Sequence, residues 1–245
     1  MLRLYSLEFA KVQWSVVFLL IGMDALINSG LGAMYMESFQ EIFPPSWSEL
    51  YRQSQTFHSL FFFPLYTGIF ASLICYYEHK NNKVWKQLLS LPLFKSHLYL
   101  AKFLTLITLM VLVQIAFFVT FLITGWILQP PGEIPCNQLL MHGVLGWLSI
   151  FPLAASQLWI SQKVTGFGKS LALNVSLVLP NLLISGMVSY LAAWFPFAPP
   201  FFAMHPQDSP IPTRFHPVPF WMIVTFTFLF YLILGWRSFI QREWE

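Results

Sequence analysis

Charge is what this sequence has least of. Asp, Glu, Lys and Arg make up 9% of its 245 residues, whereas 57% are hydrophobic and 18% aromatic, and the mean hydropathy is +0.63. Ordinary soluble domains carry about 25% charged and about 45–50% apolar residues. So few charges cannot clothe a water-facing surface, which excludes a soluble enzyme and leaves no basic surface for a nucleic acid. Cysteine is scarce too. Cys75 falls at the inner end of the second apolar segment and Cys136 in a loop on the opposite side, so the pair offers no disulfide framework. The histidines lack metal-site spacing. His79 and His97 fall on one side of the membrane pattern and His58, His142, His205 and His216 are placed at the other, with no helical His pair. No cleavable signal peptide is expected, because the first apolar segment is too long for one and no small-residue cleavage site follows it.

What is present is a set of long apolar windows. About 20 such residues cross the hydrocarbon as a helix, and six windows qualify: 13–36, 57–77, 103–128, 139–160, 170–194 and 218–236. A membrane barrel would instead alternate over segments of about 10 residues. The predicted fold is therefore all-α, one membrane domain over 1–245 with six spans. Pro64, Pro152 and Pro180 fall inside spans, where neighbouring helices can satisfy the freed backbone.

Six spans place both termini on one side. Of the 13 Lys and Arg residues, only Arg52 and Arg214 fall opposite that side. The positive-inside bias makes the rich side, with both termini, cytoplasmic.

Lys80, Lys83, Lys86, Lys95 and Lys102 all lie in or beside one cytoplasmic loop, between the second and third spans. There Val84, Trp85, Leu88 and Leu89 recur at helical spacing with Lys83, Lys86, Gln87 and Ser90 between them, and Pro92 ends the run. Ser96 is expected to cap a further helix that enters the third span through Lys102. Two readings fit the short helix: an interfacial element whose lysines snorkel to headgroups, or an apolar knob with a basic rim that docks on a cytoplasmic partner.

An acidic residue, an amphipathic turn, "LLSLP", and then "YLAK" entering a membrane helix resemble the type-2 ATP-binding-cassette permeases. Within these the chain is most similar to the permease subunits of lantibiotic-immunity transporters. The residues that carry the resemblance are Glu78, Asn82, Trp85, Lys86, Leu88, Pro92, Tyr99 and Lys102. It implies that Glu78, Asn82, Trp85, Lys86, Leu88, Leu89 and Pro92 form a coupling helix seated on an ATPase. It also implies two ATPase subunits that carry ATP and Mg, a second permease of the same or a related chain, and no cofactor on this one. In "LRLYSLEFAKVQW", Leu2, Tyr5, Phe9 and Val12 share one helical face, with Arg3, Glu8 and Lys11 elsewhere. That suits a helix lying in the membrane plane, as in the family, or a generic anchor. The segment Trp194 to Phe220 holds eight prolines, which exclude a regular helix. By the resemblance it forms short re-entrant elements capping the outer end; otherwise it is an irregular loop.

"GFGKS", Gly166 to Ser170, imitates a phosphate loop, but that motif needs a Gly where Lys163 stands, and no α/β domain follows. "NVS" at Asn174 falls within a span, so its match to a glycosylation site carries no meaning. Asp24 is the one carboxylate well inside a span, and Asn28 lies one turn on. A charge at that depth costs a few kcal/mol, faces the bundle interior and often marks function. The fourth span adds His142, Gly146, Ser149 and Gln157. Asp24, Asn28, His142 and Gln157 thus line a transport pathway or subunit interface, or else only hold helices together.

The expected protein is a multi-pass subunit of the bacterial cytoplasmic membrane that exports a cationic amphiphilic, lantibiotic-like peptide for self-protection and hydrolyses no ATP itself. An excess of acidic residues on the outer loops would attract such a peptide. The alternatives are a permease for a bacitracin-like drug or a lipid, a non-transporting assembly protein, or an intramembrane enzyme. The last needs paired catalytic groups within the spans, and the sequence offers none.

Overall fold

The computed structural model describes residues 1–38, 44–80, 95–164, 166–186, 190–205 and 216–241, with backbone only for 77–80 and 190. In order, the helices are α1 (Leu2–Ala10), α2 (Trp14–Ser38), α3 (Trp47–Phe57), a π turn (His58–Phe62), α4 (Phe63–Lys80), α5 (Lys95–Leu128), α6 (Cys136–Ser149), α7 (Phe151–Lys163), α8 (Phe167–Ile184), α9 (Tyr190–Ala193), α10 (Pro199–Met204) and α11 (Pro217–Gln241). Six helical units are long and apolar enough to cross a membrane. They are α2, the continuous run α3–π–α4, α5, the pair α6–α7, α8 and α11. The described residues are all-α.

Span limits differ from hydropathy where polar residues are buried. The second span starts at Trp47, nearly three turns before its apolar window, because Ser46 caps α3 by accepting from the Glu49 amide at 3.1 Å. Glu49 answers Arg52 on the next turn, with Nη2–Oε1 at 2.6 Å. The third span already includes Lys95, so Ser96 lies inside its first turn instead of capping it. The fourth breaks at Ile150, since Pro152 lacks the N–H that would continue α6 into α7. The polar stripe from His142 to Gln157 is thereby divided between two helices. The fifth ends at Ile184.

Between helices in lipid, close van der Waals contact and hydrogen bonds replace the hydrophobic effect. Gly68 on α4 lets the Asn174 side chain of α8 lie against its backbone, where a Cβ would overlap it, and Asn174 donates to the Leu65 carbonyl at 2.9 Å. Pro64 has no N–H for the Leu60 carbonyl four residues earlier, and Asn181 of α8 donates to that carbonyl at 2.8 Å. Ser170 of α8 accepts from Ser72 of α4 at 2.8 Å and shares a second hydrogen bond with Ser161 of α7, also at 2.8 Å. Around them Tyr66, Phe70, Leu106, Met110, Leu153 and Val178 form the apolar core.

The segment rich in proline is not one loop. Pro199 and Pro200 open α10, where a missing N–H is harmless, and Pro199 to Phe202 and Met204 are buried. At the opposite end, Lys95 Nζ donates to the Ile240 carbonyl at 3.2 Å, and α1 packs on α5, so both ends of the described chain share one end of the bundle.

Candidate functional site

Three spans meet at one histidine. Asp24 on α2 is 1% exposed and His58, the first residue of the π turn, is 0% exposed. His58 Nδ1 lies 3.0 and 2.9 Å from the two Asp24 carboxylate oxygens. Its Nε2 lies 3.3 Å from Gln114 Oε1 on α5. Asn28, one turn beyond Asp24, donates through Nδ2 to Asp24 Oδ1 and to the Asp24 carbonyl, both at 2.8 Å. The imidazole stacks on Phe117 with centroids 4.0 Å apart and planes 13° from parallel.

The arrangement follows from electrostatics. A buried carboxylate without a partner costs several kcal/mol, so Asp24 requires a donor from an adjacent helix. The π turn inserts an extra residue into the second span, its Phe63 amide reaching back to the His58 carbonyl. Such bulges occur mostly as single turns and frequently at functional sites. Gln114 Nε2 lies 3.7 Å from Met204 Sδ, a weak acceptor, which turns Oε1 towards the histidine. Both ring nitrogens therefore face side-chain oxygens. The network ties the first span to the second and third.

A second polar layer adjoins it towards the α6 start. Gln55 donates to His205 Nδ1 at 3.0 Å and accepts from Ser59 Oγ at 2.9 Å. Because Nδ1 accepts, the His205 ring is neutral, and burial, helped by the charge of Arg52 and by His142, pushes its pKa down to about 4. Tyr51 stacks on His142, centroids 5.6 Å apart, and donates to the Met204 carbonyl at 3.2 Å. In this way α10 is plugged between α3 and α6.

At the other end stands a buried ion pair. Lys102 Nζ lies 2.9 Å from Glu8 Oε2, and Lys11 Nζ lies 2.6 Å from Glu8 Oε1. Burial raises the Glu8 pKa, but the Lys102 and Lys11 charges outweigh it and hold the group below its usual value. Tyr5 and Thr108 add a hydroxyl contact of 3.0 Å. This shifts the inward face of α1: Tyr5, Phe9 and Val12 stay partly buried, Glu8 joins them, and Leu2 is 84% exposed. Lys102 at the base of α5 must find an anion, and α1 supplies it.

Of the residues singled out from sequence, Asp24 and Asn28 are brought together with each other. His142 lies in the second layer. Gln157, in α7, is buried apart from both, and neither of its side-chain polar atoms has a hydrogen-bond partner among the described residues. Glu78 lies near the end of α4, whereas Asn82, Trp85, Lys86, Leu88, Leu89 and Pro92 lie outside the described residues. His58, placed at the outer side by hydropathy, is a central member of the network, as is Gln114. The signal for His58 was the Ser46–Glu49 capping pattern, which extends the second span past it. Nothing in the sequence marks Gln114 except a polar residue inside an apolar window. Among the described residues no group of three or more His, Cys, Asp or Glu is placed to hold a metal ion.

Compared with known proteins, residues 4–181 match the family described as ABC-2 family transporter protein. No curated protein and no solved structure matches.

Proposed function

The chain belongs to the ABC-2 family of transporter proteins, and on that premise we propose that it is the permease half of an ATP-driven exporter that clears a cationic, lantibiotic-like peptide from the membrane. It is a multi-pass protein of the bacterial cytoplasmic membrane and a transport subunit that works with an ATPase partner. In our reading the complex holds two ATPase chains and a second permease, the 81–94 segment of this chain docks on an ATPase, and the end bearing both termini is cytoplasmic. ATP and Mg stay on the ATPase.

One observation carries the coupling part of this reading: the buried Lys102–Glu8 pair. Lys102 follows the docking segment on α5, so a push on that segment reaches α5 directly and α1 through the ion pair. From α1 the chain continues into α2, which bears Asp24. The Asp24–His58–Gln114 network then joins the moving first and third spans to the second. The excess of acidic groups in the loops opposite the termini supports a cationic substrate.

The test is reconstitution of the full chain with its ATPase partner. Cationic peptide is expected to stimulate ATP hydrolysis, and cells carrying the complex are expected to tolerate the peptide. Stimulation by a lipid or an uncharged drug alone would reassign the substrate. An ATPase that binds but never responds to any substrate would favour a non-transporting assembly role.

A further inference from the structure

The third and fourth spans separate towards the α6 start and leave a groove of about 560 Å³ on the face of the bundle. Its walls include Val111, Ile115, Phe118, Leu140, Val144 and Trp147, and among the described residues no Asp, Glu, Lys, Arg or His lines it. Its size lies within the about 300–1,000 Å³ of sites that hold small ligands. Two features set its ends. On the inner wall is Gln114, whose amide oxygen faces His58 Nε2 at 3.3 Å. At the open end is Cys136, which also borders a shallow depression lined by Ile134, Pro135, Asn137 and Gln138. Glu133, exposed, immediately precedes that depression.

We propose that this groove between α5 and α6 binds the hydrocarbon part of a cationic amphiphile, with the head held at the Glu133 end and the tail against Gln114. An apolar channel without charge suits an alkyl or acyl chain, and each buried methylene contributes to binding. Among the described residues, the exposed Glu133 carboxylate, next in sequence to the depression, gives that end the sign that attracts a cation. Contact with Gln114 places the occupant one hydrogen bond from the His58–Asp24 pair. The substrate class rests on the export reading above; the site itself rests on the groove.

The test uses the full chain in nanodiscs of zwitterionic lipid. Cys75 is buried and Cys136 exposed, so alkylation by a water-soluble maleimide reads the mouth of the groove. Dodecyltrimethylammonium is added at low mole fraction. At about ten times its half-effective concentration it is expected to slow Cys136 alkylation about tenfold, as mass action requires. Dodecyl sulfate at the same mole fraction is expected to leave the rate unchanged, and Glu133→Gln to remove the difference between the two. Val144→Trp fills the groove from a position 55% exposed and is expected to abolish protection. Leu183→Trp, equally apolar but on α8 and 72% exposed, keeps it. Equal protection by both amphiphiles, or protection that survives Val144→Trp, overturns the proposal. So does Cys136 shielded without any amphiphile and released on dilution, which would mean a second copy occupies the groove. Protection without peptide-stimulated ATP hydrolysis would sink the export reading and leave the site standing; stimulation without protection would do the reverse.

Discussion

His58 and Asp24 come from different spans, 34 residues apart in sequence, yet lie 2.9 Å from each other with neither accessible to solvent. Removing one partner of such a pair strands the other in a medium that cannot solvate it, at a cost of about 3–5 kcal/mol. Asp24→Leu and His58→Phe are each expected to lower membrane abundance and thermal stability, and the double variant to lose clearly less than the sum of the two. Strictly additive losses in that cycle would mean the two groups do not interact. Asp24→Asn keeps an acceptor for His58 and is expected to insert near-normally. Full peptide tolerance in the Asn variant would limit Asp24 to packing, whereas tolerance lost at normal abundance, and partly restored by Asp24→Glu, would assign a role to the charge.

Lys102 and Glu8 make a different kind of link, because they attach an amphipathic helix to a span. Lys102→Met leaves Glu8 with Lys11 alone, a half-exposed partner of little strength. The α1 segment is expected to become a site of rapid proteolysis, with ATP hydrolysis no longer responding to substrate. Persistent protection of α1 from protease in this variant would contradict the clamp.

Acid should loosen the two ends of the molecule in different windows. The His205 pKa is depressed on folding, so its contribution is present above its ordinary value of 6.5 and is lost as pH falls towards about 4. The Glu8 pKa is also depressed, so its contribution is present above its ordinary value of 4.5 and is lost as pH falls through the lower, folded value. Thermal stability is expected to decline first through His205 and then through Glu8. His205→Asn, whose Oδ1 can accept from Gln55, should flatten the upper window only, and Glu8→Gln the lower.

Orientation can be read with impermeant thiol reagents in a Cys136→Ser background. Trp47 is buried, so the exposed Ser48 is the suitable reporter at the α3 start. Ser48→Cys is expected to label in intact cells and Asn82→Cys only after the membrane is opened. Labelling of position 82 from outside would invert the topology and remove the docking role.

Docking itself is tested at Trp85. An aromatic side chain in a partner's pocket is a common hot spot, so Trp85→Ala is expected to reduce ATPase co-purification and abolish tolerance while insertion stays normal. Lys86→Glu is expected to weaken capture mainly at low salt, where a rim charge acts most strongly. Unchanged capture and tolerance in Trp85→Ala would refute the coupling assignment.

Hydropathy and charge were enough for the class of the protein, the number of its spans and the sharing of one end by both termini. Those properties sum over many residues, and lipid penalises every exception. Pro152 reads as a proline tolerated inside a continuous fourth span, whereas the helix breaks just before it at Ile150, because among the described residues no neighbouring group carries the interrupted backbone across. The pairings were not local. Amphipathic spacing turns Glu8 away from the buried face of α1, and only the position of Lys102, 94 residues on, turns it inward. The polar run from Glu49 to Thr56 reads as loop, and His58 as the outer end of a span, until α2 brings Asp24 and α10 brings His205 against them. A buried polar group is defined by what stands across the helix interface, and that partner is chosen by the packing of distant segments, which no window of the sequence contains.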